Sequence, residues 1–126
     1  MQLRGKTIRN QPPENISVEQ RDDLTVLLIK NNLSYQTADE IKVIYPNIES
    51  EKILIDLGGV TLTTSRGMAS VIRIVIDAHE KSRQIGLCNV SHQCMNIIDA
   101  MDIVTHIPSL KLFETLDEGI AHFQQT

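Results

Sequence analysis

Asp56-Leu57-Gly58-Gly59-Val60-Thr61-Leu62-Thr63-Thr64-Ser65-Arg66-Gly67-Met68 reads as the end of a strand, a turn through two glycines, and a run of hydroxyls opening a helix. The strand is Lys52-Ile-Leu-Ile-Asp-Leu57, a short apolar run without polar alternation, as expected of a central strand covered on both faces. The helix follows from periodicity: Met68, Val71, Ile72, Val75, Ile76 and His79 recur at helical intervals, while Arg73, Asp77, Glu80 and Lys81 fall elsewhere. The start of such a helix leaves backbone N–H groups unpaired and carries roughly half a unit of positive charge, so it favours an anion. A phosphorylated Ser65 would supply one.

Working outward, residues 1–15 are polar and carry Pro12-Pro13, which predicts an extended lead-in before a single domain over residues 16–126. Ile16-Ser-Val18 alternates, Arg21-Asp-Asp23 reads as a turn and Leu24–Ile29 is apolar and β-branched, so the two runs predict a hairpin. The Thr37-x-x-Glu40 spacing suits a capping box, and Ala38, Ile41, Ile44 and Tyr45 predict a helix from Thr37 to Tyr45. Gln84–Val90 predicts a strand, Ser91 opens a helix with Met95, Ile98 and Met101 on one face, and His106-Ile107 reads as a brief strand. Thr115-x-x-Glu118 offers a second capping box, with Leu116, Ile120 and Phe123 as the buried face of a terminal helix. Strands alternating with helices predict an α/β domain: a mixed, mostly parallel sheet with an N-terminal hairpin, packed against about four α-helices. Loops at the carboxyl ends of its strands form the working edge, and Gly58 to Arg66 is one of them.

The 126 residues suffice to bury a core without disulfides or metal, and 41% hydrophobic with 22% charged residues is ordinary for a globular protein. A net charge of −4 excludes binding nucleic acid by general phosphate attraction, and an aromatic content of 3% with no Trp leaves few stacking platforms. Cys88 and Cys94 have no metal-finger spacing and are expected as reduced, partly buried thiols. No signal-peptide core and no membrane-length apolar run occurs, so the expected place is the cytoplasm, with no membrane partner. His79, His92, His106 and His122 are scattered without ligand spacing, so no metal and no cofactor is expected.

From Ile16 to Phe123 the order and spacing of elements resemble the STAS domain of anti-sigma factor antagonists, whose pattern is roughly Asp-Leu-Ser-Gly-Val-x-x-x-Asp-Ser-Ser-Gly-Leu. Asp56, Gly59, Val60, Ser65 and Gly67 match it, and Gly86-Leu-Cys-Asn-Val90, Ile98 to Thr105 and Thr115-Leu-Asp-Glu-Gly119 are similar to family segments. The resemblance implies a partner-switching regulator without catalysis. Its bare form would bind an anti-sigma factor that doubles as a serine kinase of the histidine-kinase-like ATPase type. Phosphorylation at Ser65 would break the complex, and a PP2C-type phosphatase would restore it. Asp56, Gly58, Gly59, Thr63, Thr64, Ser65, Arg66, Gly67 and Met68 would form the partner-binding surface.

Three positions depart from that pattern: Thr64 replaces the family Asp, Arg66 the following Ser, and Gly58 the Ser of the turn. Loss of a carboxylate at Thr64 removes a charge that would repel a phosphate, and Arg66 adds a cation that can pair with one. Thr63 and Thr64 are competing acceptors. The same departures keep a second reading open, a STAS module that binds a nucleotide or lipid, or a scaffold that is never phosphorylated.

Simpler roles stand beside these. Ser65 equally suits an ordinary helix N-cap. No P-loop Lys follows Gly58-Gly59 and no G-x-G-x-x-G occurs, so tight-turn geometry explains the pair better than a phosphate cradle. Gly67 permits close approach either of a partner or of a neighbouring loop. Asp56 has no nucleophile and second base beside it, so it reads as an acceptor of backbone N–H bonds rather than a general base. Met68, Met95 and Met101 read as core fillers.

Overall fold

The computed structural model describes residues 15–125; the expected lead-in lies almost wholly outside the described residues. Strands β1 (Ile16–Arg21) and β2 (Leu24–Ile29) form the hairpin, antiparallel from Ile16↔Ile29 to Arg21↔Leu24, with Asp22 at φ 54° in the turn. Asp tolerates this left-handed conformation better than most residues, which suits it to a two-residue connection. Strands β3 (Lys52–Asp56), β4 (Gln84–Cys88) and β5 (Lys111–Phe113) follow in parallel, and the order across the sheet is β1-β2-β3-β4-β5. The mixed, mostly parallel sheet with β3 at its centre is as the sequence predicts.

Helices α1 (Tyr35–Ile44), α2 (Ser65–Glu80), α3 (His92–Ala100), α4 (Ile103–His106) and α5 (Leu116–Gln124) connect and close it. Ile53 and Ile55 of β3 join Leu27, Ile29, Ile85 and Leu87 in a core shared with α1 to α4. Leu54 points the other way, into a smaller cluster with Leu24, Val26 and Cys88 that α5 covers through Ile120 and Phe123. The alternation of β3 between two apolar layers is why Ile53-Leu54-Ile55 at its middle is apolar at every position. At the amino edge of β3, Lys52 is buried: its Nζ donates to the Phe123 carbonyl at 2.8 Å and pairs with Asp23 at 3.2 Å. This fastens the end of α5 to the sheet.

Several local expectations are corrected. Helix α1 starts two residues early because Ser34, not Thr37, is its cap; the Thr37 hydroxyl instead donates to the Asn32 carbonyl at 2.7 Å. Glu40, the expected other half of the box, is held by the backbone and side chain of Asn15. The helix ends at Ile44 and passes into a 3-10 turn, Tyr45–Asn47, at Pro46. His106-Ile107 is not a strand: His106 ends α4, and β5 lies beyond at Lys111–Phe113; the described residues form five α-helices. Met101 is half exposed rather than a core filler, whereas Met68 is buried. Along α2, Ile76 and His79 are exposed while Ser70, Ile74 and Ala78 are buried, because the helix packs on α1 as well as on the sheet and buries a wider arc. Ser91 and Thr115 cap α3 and α5 as predicted. Both cysteines are fully buried rather than partly so.

Candidate functional site

The carboxyl ends of β2 and β3 release two loops that are stitched together. Asn32 places one side-chain oxygen where it accepts from Thr61 N at 3.1 Å, Thr61 Oγ1 at 2.8 Å and Leu62 N at 3.0 Å. Leu33 N donates to the Leu62 carbonyl at 3.1 Å, and Thr64 N donates to the Leu33 carbonyl at 2.9 Å, so Leu33 bridges to Thr63 as a one-residue parallel ladder. Asn32 and Leu33 hold the loop and were not among the sequence candidates. The detectable signal was an Asn pair between a strand and a helix, since Asn side chains commonly bind turn backbone.

The turn itself closes through Val60 N to the Leu57 carbonyl at 3.0 Å. Asp56 Oδ1 accepts from Gly58 N at 2.8 Å and from Asn89 Nδ2 at 3.0 Å, the structural role expected for it. A Cβ on Gly59 would lie 2.6 Å from the Lys30 carbonyl, so the position is fixed by close approach of the β2 loop. A Cβ on Gly67 would overlap the Leu33 carbonyl and lie 2.8 Å from Leu33 Cβ. Of the two readings of Gly67, the structure selects the neighbouring loop.

The hydroxyls now separate. Thr64 is the N-cap: its Oγ1 accepts from Gly67 N at 2.9 Å and donates to the Leu33 carbonyl at 3.2 Å. Thr63 Oγ1 donates to the Thr64 carbonyl at 3.0 Å and is half buried. Ser65 is not the cap; it is the first helical residue, exposed, and its hydroxyl has no protein hydrogen bond among the described residues. Gly58, Gly59, Thr64 and Arg66 are exposed with it, and Asp56 is half buried. Gly67 and Met68 are buried and support the surface from beneath. Leu62 within the loop and Tyr35 at the start of α1 are 61% and 59% exposed, large apolar side chains left in water.

Cys88 lies beneath this edge at the end of β4, and burial, with Asp56 nearby as a smaller cause, pushes its thiol up to about 12. It is therefore a protonated, inert core group. Among the described residues, no three His, Cys, Asp or Glu side chains gather as metal ligands. Among the same residues, no helix is long and apolar enough to cross a membrane.

Comparison with solved structures places the same fold in several proteins. A candidate anti-sigma factor antagonist of Thermotoga maritima, TM1081, superposes with a TM-score of 0.72 at 16% identity, covering 86% of this chain and 94% of that one. A sulfate transporter family protein of Wolinella succinogenes gives 0.70 at 13% identity over 83% and 88%. The unphosphorylated anti-sigma factor antagonist SpoIIAA gives 0.68 at 10% identity over 87% and 97%. No curated protein sequence matches the chain. The family model of the STAS domain matches residues 15–119, and with the sheet order, the fifth helix on the far face and the loop after β3 all in place, the chain belongs to the STAS domain family.

Proposed function

We propose that this protein is a cytoplasmic partner-switching regulator of the anti-sigma factor antagonist type, without catalysis of its own, switched at Ser65. The bare form docks on an anti-sigma factor or related regulator that is also a serine kinase of the histidine-kinase-like ATPase type. Phosphorylation releases it, and a PP2C-type phosphatase resets it. The observation that carries this reading is the division of labour among three adjacent hydroxyls: Thr64 and Thr63 are spent on the fold, and Ser65 is exposed and unengaged. Leu62 and Tyr35 supply apolar area beside it for a complex to cover.

The modification suits the geometry on both sides. A phosphate adds about −1.5 to −2 charge and bulk, which a surface packed on Ser65 meets as steric and desolvation cost. The host helix tolerates it, because first-turn amides and the helix dipole stabilise an anion there by some tenths to about 2 kcal/mol. Partner release requires a penalty of only about 3 kcal/mol to weaken affinity roughly a hundredfold.

The test uses Ser65→Ala and Ser65→Asp proteins immobilised against lysate of the source organism, with retained proteins identified by mass spectrometry. An ATPase-domain kinase held by Ser65→Ala and lost from Ser65→Asp, and able with ATP to add one phosphate to the unmodified protein at Ser65, is the expected result. Equal retention on both variants, or a phosphate mapped to Thr63 or Thr64, refutes the assignment.

A further inference from the structure

A groove runs along the seam of α1 and α2, from the Ser65 loop towards the turn after α1. Its near half is lined by Ala38, Lys42, Arg66, Ala69, Ser70 and Arg73. Its far half shares Lys42, Ser70 and Arg73 with the near half and adds Ile41, Tyr45, Pro46 and Ile74, which make its surface mostly apolar. The small residues Ala38, Ala69 and Ser70 allow another backbone to come close. Ser70 keeps its hydroxyl on the Gly67 carbonyl at 2.5 Å and so presents no free donor to the groove.

The cations have a definite spacing. Arg66 and Arg73 stand seven residues apart on α2, two helical turns or about 10 Å, and Lys42 stands across from them on α1. Among the described residues none of the three pairs with a carboxylate, in a chain whose net charge is −4. No acidic side chain among the described residues lines either half of the groove; on the same two helices Glu40 is held by Asn15, and Asp77 by the Tyr45 hydroxyl at 2.5 Å and by Lys81 at 3.2 Å, while Asp39 and Glu80 stand outside the lining. Three unpaired cations beside an apolar hollow call for an occupant that carries both negative charge and apolar side chains.

We propose that this groove seats an acidic amphipathic helix of the partner. Carboxylates two turns apart meet Arg66 and Arg73, and an apolar side chain enters the hollow over Ile41 and Ile74. The proposal rests on the partner-binding reading above and names the chemistry of that partner. It also gives the switch a direct electrostatic route. A phosphate on Ser65 sits at the mouth of the groove, next in sequence to Arg66, where it competes for that guanidinium and repels an acidic segment.

The experiment is a nitrogen-15 chemical-shift titration of the full chain with a synthetic acidic amphipathic peptide, Glu residues two helical turns apart and Leu between them. The same peptide with Lys for Glu, and inorganic phosphate, are the comparison probes. Shifts at Ala38, Lys42, Ala69, Arg73 and Ile74 are expected with the acidic peptide only, and Arg73→Glu, checked for native circular dichroism, weakens binding about tenfold or more. Equal binding of the Lys peptide, undiminished binding to Arg73→Glu, or no shift at millimolar peptide overturns the proposal. Phosphate alone reproducing the whole pattern, Ile74 included, overturns it in favour of a simple anion site. Loss of peptide binding on Arg73→Glu without loss on Ser65→Asp keeps the groove and refutes the switch. Kinase captured as well by Arg73→Glu as by Ser65→Ala keeps the switch and refutes the groove.

Discussion

Gly67→Ala sets two effects of opposite sign against each other. Helix propensity alone favours Ala over Gly by up to about 1 kcal/mol, and the unfolded chain also loses entropy in the same direction. Packing opposes it, because the new methyl would overlap the Leu33 carbonyl, which is backbone and cannot swing aside. The start of α2 and the Asn32–Ser34 loop would have to part by on the order of 1 Å. Three bonds span that gap: Thr64 N to Leu33 O at 2.9 Å, Leu33 N to Leu62 O at 3.1 Å and Thr64 Oγ1 to Leu33 O at 3.2 Å. At about 1 kcal/mol each, their loss outweighs the propensity gain and leaves a net destabilisation of about 2 kcal/mol. With a urea slope of about 2 kcal/mol/M, the unfolding midpoint should fall by about 1 M. Ala69→Gly, exposed two residues on, isolates propensity and should cost about 1 kcal/mol. A midpoint for Gly67→Ala equal to or above that of the unaltered protein would show that the loop and helix are not in the contact described.

Asn32→Ala leaves Thr61 N and Leu62 N without their acceptor, and should cost about 1 to 2 kcal/mol while hydrogen exchange accelerates in the loop after β3. Thr64→Ala should cost about 1 kcal/mol as a lost N-cap and Ser65→Ala less than about 0.5 kcal/mol, a difference that denaturation curves resolve and that inverts if Ser65 is the true cap. Burial, and then the hydrogen bond to Asp77, raise the Tyr45 hydroxyl above the ordinary tyrosine range, and the Tyr45 bond in turn lowers Asp77. The Tyr45 contribution is therefore intact below about pH 10 and declines as pH rises beyond it, whereas that of Asp77 is intact above about pH 4 and declines as pH falls. Tyr45→Phe should flatten the alkaline loss measured between about pH 7 and pH 11, and an unchanged slope counts against the pairing. Cys88, buried and with its thiol pushed up to about 12, should resist alkylation at about pH 8 in the folded protein and react once unfolded.

The parts of the fold that were legible are those whose signal is local and unopposed. Lys52–Leu57 declares a two-sided strand because Ile53, Leu54 and Ile55 are apolar on both faces in succession, and Ser91 and Thr115 are caps with no rival hydroxyl three residues on. Ser34 and Thr37 are such rivals; which one caps α1 was decided by the Asn32 carbonyl, a tertiary detail that leaves no periodic trace. Strand β5 was missed because three residues at a sheet edge, two of them exposed, carry no pattern longer than noise. The same distinction holds at the site. The hydroxyl run and its helix were visible, but the assignment of roles among Thr63, Thr64 and Ser65 depends on Leu33, which Thr64 reaches across 31 residues of sequence, and on Asn32, which holds the loop just before them at Thr61 and Leu62. Ile76 and His79 were misplaced for a related reason: one helix face was expected to meet a sheet, and a second helix arrived beside it.

The buried Lys52 sits at the amino edge of the central strand, and the Ser65 loop leaves from its carboxyl edge. Five residues of β3, about 16 Å of chain, separate a clasp for the last helix from the surface that meets the outside. Groups that far apart and without shared partners contribute independently. Selection can therefore adjust the lifetime of the folded molecule at one end of a single strand, and the chemistry of the exposed Ser65 loop at the other, without either adjustment disturbing the other.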